Sequence, residues 1–113
     1  MAWRVSEVGE DADKAIVEVE GVVDSTNVED FFGFINAVFK RGIKRIILDL
    51  RGTSYLSSGA LSVIIDAYKR ATEEGGGLVI VGASEMIAEL FRVVQFDNII
   101  EFHDDLDEAM KAL

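Results

Sequence analysis

The sequence predicts an α/β fold: one domain with a mixed sheet, an N-terminal antiparallel hairpin followed by parallel strands, and about four helices. Three observations carry that prediction. Short strand patterns alternate with amphipathic helical patterns after an initial hairpin, which favours right-handed crossovers and parallel pairing. Ile46-Ile47-Leu48-Asp49-Leu50 is a nearly continuous apolar run, as in a strand covered on both faces. The helical patterns end at glycine clusters.

The hairpin comprises Trp3 to Val8 and Ala15 to Val19, joined by a turn at Gly9-Glu10-Asp11-Ala12-Asp13. Thr26 and Glu29 have the spacing of a capping box for a first helix. Its inward residues are Val28, Phe31, Phe32, Ile35, Val38 and Phe39, and Lys40-Arg41-Gly42 stops it. Phe34 falls off that stripe and reads as an exposed aromatic.

A second helix begins near Ser58, with Leu61, Ile64, Ile65, Tyr68 and Ala71 inward. Ser62, Asp66, Lys69, Arg70 and Glu73 face water, and Gly75-Gly76-Gly77 ends the helix. Leu78 to Val81 is the next strand. Ser84 caps a third helix that turns Ile87, Leu90, Phe91 and Val94 inward. Ile99 to Phe102 forms a last strand, and Asp104 to Leu113 a docking helix that packs Leu106, Met110 and Leu113.

Size and composition bound the function. With 113 residues, half of them hydrophobic, the chain can bury one core without disulfides. Cysteine is absent, so thiol catalysis, iron–sulfur clusters and thiolate zinc sites are excluded. The formal net charge of −10 opposes binding to nucleic acid or anionic lipid. The sequence contains no apolar run of membrane-spanning length and no secretory leader pattern, so a cytoplasmic protein without membrane insertion is expected.

Catalytic patterns are missing. The single histidine, His103, reads as a surface residue, without a spaced partner for a triad or metal site. Gly75-Gly76-Gly77 follows a helix and precedes a strand, the reverse of a phosphate-cradling loop. Asp104-Asp105 and Glu73-Glu74 read as solvated helix ends. No metal or cofactor is implied.

The remaining feature is the junction after Leu50, Arg51-Gly52-Thr53-Ser54-Tyr55-Leu56-Ser57-Ser58-Gly59-Ala60, which is rich in hydroxyls. In open α/β sheets the carboxyl ends of the strands face the functional crevice, so this junction, Ser25-Thr26 and Ser84 share one edge. By pattern alone, Ser57 caps the second helix and Ser58 sits in its first turn.

Gly21-Val22-Val23-Asp24, the Ile46–Leu50 run, Tyr55-Leu56-Ser57-Ser58-Gly59-Ala60-Leu61 and Leu78-Val79-Ile80-Val81-Gly82 together resemble the STAS domain of bacterial anti-sigma factor antagonists, over the whole of residues 1–113. In that family the loop entering the second helix usually reads aromatic-aliphatic-Asp-Ser-Ser/Thr-Gly-Leu. Ser58 matches its phosphorylated serine. Ser57 stands at the aspartate position, Gly59 at the second hydroxyl and Ala60 at the glycine, while Asp24 matches a nearby acid.

The resemblance implies a non-enzymatic antagonist, monomeric or weakly dimeric. Unmodified, it binds an anti-sigma factor serine kinase and frees a sigma factor; phosphorylation on Ser58 releases the partner, and a serine phosphatase restores the starting state. The partner-binding residues it implies are Asp24, Ser25, Thr26, Ser57, Ser58, Gly59 and Ser62. An unphosphorylated accessory or scaffold subunit of a transport or stress-signalling complex is the alternative.

Overall fold

The computed structural model describes residues 2–8 and 13–113; the turn expected at Gly9–Asp13 falls, but for Asp13, outside the described residues. Strands β1 (Ala2–Val8) and β2 (Lys14–Val23) pair antiparallel, with Trp3 opposite Val19 and Val5 opposite Val17. From there the chain alternates: α1 (Val28–Lys40), β3 (Arg45–Leu56), α2 (Ser58–Glu73), β4 (Gly77–Val81), α3 (Glu85–Val93), β5 (Glu101–His103) and α4 (Leu106–Ala112). The sheet order is β1-β2-β3-β4-β5, and all pairs after the first are parallel. The fold class expected from the sequence is the one observed.

Alternation along β3 explains the layering. Ile46, Leu48 and Leu50 point into the larger core, where α1, α2 and α3 contribute Phe31, Ile64, Ile87 and Phe91. Ile47 points the other way and joins Val79, Val81 and Ala109, with Leu106 and Met110 of α4 packed alongside. The apolar run is thus covered on both faces, and the last helix docks as its stripe predicts.

Several details differ from the sequence reading. Phe34 packs against the core while Phe32 is 50% exposed. The helix period accounts for the exchange, because Phe34 lies three residues after Phe31 and four before Val38, both buried. Val94 is 41% exposed rather than inward, since α3 has ended one residue earlier. The last strand starts at Glu101, and Ile100 is buried in the loop that precedes it.

The largest difference is at β3. Instead of breaking after Leu50, it continues to Leu56 beside a β2 that itself runs on to Val23, pairing Gly21 with Thr53 and Val23 with Leu56. Two register shifts, between Glu18 and Glu20 and between Gly21 and Val22, insert extra β3 residues and bend the pair. The buried Thr53 hydroxyl fastens this stretch by donating to the Val19 carbonyl at 2.7 Å. Thr53 is therefore absent from the hydroxyl-bearing surface expected for the junction.

On the sheet face that α4 leaves open, Asp49 accepts from Arg51 Nε at 3.0 Å and Nη2 at 2.7 Å. Gly82, at φ +69°, leaves space for the Arg51 stem: a Cβ there would lie 2.1 Å from Arg51 Cγ. Burial pushes the Asp49 carboxyl up, but the hydrogen bonds and charge of Arg51 outweigh it, and the group titrates below 3.8.

A folded-state value below the unfolded one means that the unfolded chain takes up the proton first. The Asp49 contribution is thus complete above about pH 4 and is lost as pH falls through the folded value. Denaturant titrations over that range will show a shallower acid loss for Asp49→Asn than for the parent chain. Thr53→Val, which strands the Val19 carbonyl, is expected to cost about 1–3 kcal/mol in the same assay at neutral pH.

Candidate functional site

Four helices begin at the carboxyl edge of the sheet, after β2, β3, β4 and β5, and the first three corners are built differently. At the β2–α1 corner, the Asp24 carboxylate accepts from the Thr26 amide at 2.9 Å and from the Thr26 hydroxyl at 2.5 Å. These bonds hold its carboxyl below the usual range, so it is ionised at neutral pH. Asn27 closes the corner: its Oδ1 accepts from the Asp24 amide at 2.9 Å, and its Nδ2 donates to the Val22 carbonyl at 3.0 Å.

The expected Thr26–Glu29 capping box does not form. Asn27 is the N-cap, and the Thr26 hydroxyl is turned back to Asp24. An aspartate two residues before a hydroxyl residue competes for it locally, and here that local bond wins. Asn27 went unnoticed in the sequence, although Asp-Ser-Thr-Asn is a strong turn composition.

At the β3–α2 corner a single residue, Ser57, separates strand from helix. Its amide donates to the Val23 carbonyl at 2.9 Å, tying this corner to the previous one. Its hydroxyl accepts from the Ala60 amide at 3.2 Å and caps α2. Ser58 is exposed and makes no side-chain hydrogen bond among the described residues. Two adjacent serines thus have different roles: Ser57 is committed to the backbone, and Ser58 is presented to solvent.

The surroundings of Ser58 are open. A Cβ at Gly59 would meet Val28 Cγ2 at 3.7 Å, an ordinary contact, so packing does not demand glycine there. Ser25, Thr26, Gly59 and Ser62 are all exposed, Ser62 one turn beyond Ser58 on α2. The first turn of α2 carries no acidic residue, whereas those of α1, α3 and α4 hold Glu29 and Asp30, Glu85, and Asp107 and Glu108. The positive end of the α2 dipole is therefore the one not offset by its own carboxylates.

Ser84 caps α3 at the third corner, accepting from the Ile87 amide at 3.2 Å. No histidine, lysine or carboxylate is hydrogen-bonded to Ser58 among the described residues. His103 lies in β5, partly buried rather than on the surface, with Nε2 3.4 Å from Glu101 and Nδ1 3.9 Å from Glu108. Its neighbours are carboxylates of β5 and α4, away from the α2 corner.

The family model of the STAS domain matches residues 5–109. The chain belongs to the STAS-domain family. A protein of Bordetella bronchiseptica named with the anti-sigma factor antagonists, BtrV, is 29% identical over 94 residues, covering 83% of this chain and 81% of the relative. A Thermotoga maritima crystal structure given the same class name superposes with a TM-score of 0.89 at 22% identity, covering 97% of this chain and 92% of that one.

The anti-sigma factor antagonist SpoIIAA superposes in its unphosphorylated form with a TM-score of 0.76 at 18% identity, covering 98% and 96% of the two chains. The Bacillus protein in its phosphorylated form gives 0.79 at 15% identity and 98% of each. These likenesses establish the fold as that of the anti-sigma factor antagonists.

The division of labour between the serines is measurable. Ser57→Ala is expected to lose about 0.5–2 kcal/mol of stability in thermal or denaturant unfolding. Ser58→Ala is expected to change it by less than about 0.5 kcal/mol, the usual range for exposed sites without a special contact.

Proposed function

We propose that this STAS domain is a cytoplasmic anti-sigma factor antagonist with no catalytic activity of its own. Unmodified, it binds a cognate anti-sigma factor serine kinase and so frees a sigma factor. Phosphorylation on Ser58 ends that binding, and a serine phosphatase restores it. The observation that carries this reading is the α2 entrance, where Ser57 is held as the cap and Ser58 is exposed in a first turn free of acids.

A phosphoryl group on Ser58, with a charge of about −1.5 to −2, would meet the positive end of the α2 dipole, which favours it. The fold therefore survives modification, and the effect falls on the interface. Asp24, ionised by its bonds to Thr26, adds a second negative charge on the neighbouring corner that the Ser57–Val23 hydrogen bond ties to α2. A partner seated over both corners faces a charge that must shed water on contact, and the complex is weakened by desolvation and by repulsion from any partner acid. Ser25, Thr26, Gly59 and Ser62 complete the contact surface.

Intact mass measurement after incubation with ATP and the cognate kinase tests the reading. One phosphoryl group is expected on the parent chain and on Ser57→Ala, and none on Ser58→Ala. Ser58→Glu is expected to fold with unchanged or slightly raised stability and to lose affinity for the kinase. An unmodified parent chain that still binds its partner would instead support the accessory-subunit role.

A further inference from the structure

Between α1 and α2 runs a groove in which the chain already holds one of its own guanidinium groups. Phe32, Ile35 and Phe39 of α1 and Val63 and Ala67 of α2 line a hollow of about 180 Å³, whose polar lining is Asn36, Asp66 and Arg70. Arg70 lies over the Phe39 ring, 4.3 Å from its centroid, while Nη1 donates to Asn36 Oδ1 and Nε to Glu74 Oε2, both at 3.1 Å. An aromatic face with acceptors at its margin suits a flat, delocalised cation.

The same parts recur two turns earlier on α1. Phe32 precedes Phe39 by seven residues and shares its flank of the helix, but it is 50% exposed where Phe39 is 5%. Asp66 lines the same hollow, exposed and in no ion pair among the described residues, since Arg70, one turn along α2, is turned to Asn36 and Glu74. Glu29, one turn before Phe32, is likewise exposed and in no ion pair among the described residues. Lys69, the other cation near this stretch of α2, lies over Phe96 instead.

We propose that Phe32 and Asp66 form a receiving site for an arginine side chain of a partner protein, its guanidinium stacked on the Phe32 ring and hydrogen-bonded to the Asp66 carboxylate, with Glu29 adding attraction. The site goes beyond the Ser58 switch and does not depend on phosphorylation. Its size suits a guanidinium with its last methylenes and is too small to enclose a whole free ligand. Free arginine would also bring its own α-carboxylate towards Asp66 and Glu29, a charge that an arginine within a polypeptide lacks. A second copy is a poor source. All six arginines, Arg4, Arg41, Arg45, Arg51, Arg70 and Arg92, are engaged with carboxylates. Lys40, Lys44, Lys69 and Lys111 are exposed and in no ion pair, but an ammonium is a point charge without a flat face to stack.

The test uses the full unphosphorylated chain, ¹⁵N-labelled, titrated with the blocked tripeptide acetyl-Ala-Arg-Ala-amide and with the same peptide carrying Lys or citrulline at its centre. The arginine peptide is expected to give saturable shifts centred on the amides of Phe32, Asn36, Val63 and Asp66. The lysine peptide is expected to bind about threefold more weakly, and the citrulline peptide, of the same shape without the charge, about tenfold or more. Phe32→Leu and Asp66→Asn, both at exposed positions, are each expected to weaken the arginine peptide by about threefold or more. Glu85→Gln, which removes the same charge from α3, is expected to leave it unchanged.

Shifts spread over the acidic first turn of α4, the lack of any saturable shift, equal binding by the lysine or citrulline peptide, or indifference to both substitutions would overturn the proposal. So would self-association of the chain that covers Phe32. Because no kinase, nucleotide or phosphate enters the titration, its failure removes the arginine site and leaves Ser58 as an acceptor untouched. Failure of Ser58 to accept phosphate leaves the peptide result standing.

Discussion

The geometry of the working edge depends on the paired extension of β2 and β3 past their first register shift. An ordinary parallel pair would stop where the apolar run stops, and the chain would then cross to α2 through a loose loop. Here the two strands bend together for several more residues, the buried Thr53 hydroxyl fastens the bend to Val19, and the Ser57 amide makes the last bond, to Val23. The whole candidate site hangs on that clasp. It brings the corner of Asp24 and Asn27 beside the start of α2 and reduces the connection into α2 to one residue.

This extension is also where sequence reading reached its limit. Arg51-Gly52-Thr53-Ser54 has the composition of a loop, and polar residues with glycine argue against a strand as long as periodicity is the guide. The stretch is a strand because β2 is there to pair with it, and pairing is non-local. The helices were legible for the opposite reason. Their starts, stops and buried faces are set within a few residues, so Ser57, Ser84 and the Gly75–Gly77 stop could be placed before any contact was known. At α1 the same local reasoning chose the wrong bond, because Asp24 reached Thr26 first and Asn27 took over as cap.

The site was legible to a similar depth. Pattern placed Ser58 at a helix entrance on the carboxyl edge, and resemblance marked it out from Ser57. The hydrogen bonding supplies what neither could, a physical difference between two neighbouring serines. Val94 was misjudged for a related reason: it continues the apolar stripe of α3 on periodicity, and only the end of the helix at Val93 reveals that it borders solvent. Exposure of this kind depends on which faces the rest of the chain leaves uncovered.

The capping bond of Ser57 resembles a protecting group in synthesis. Two hydroxyls of equal intrinsic reactivity stand side by side, and a 3.2 Å bond from a backbone amide holds one of them against its own helix. Of these two neighbours the fold leaves Ser58 the freer to meet whatever approaches the corner.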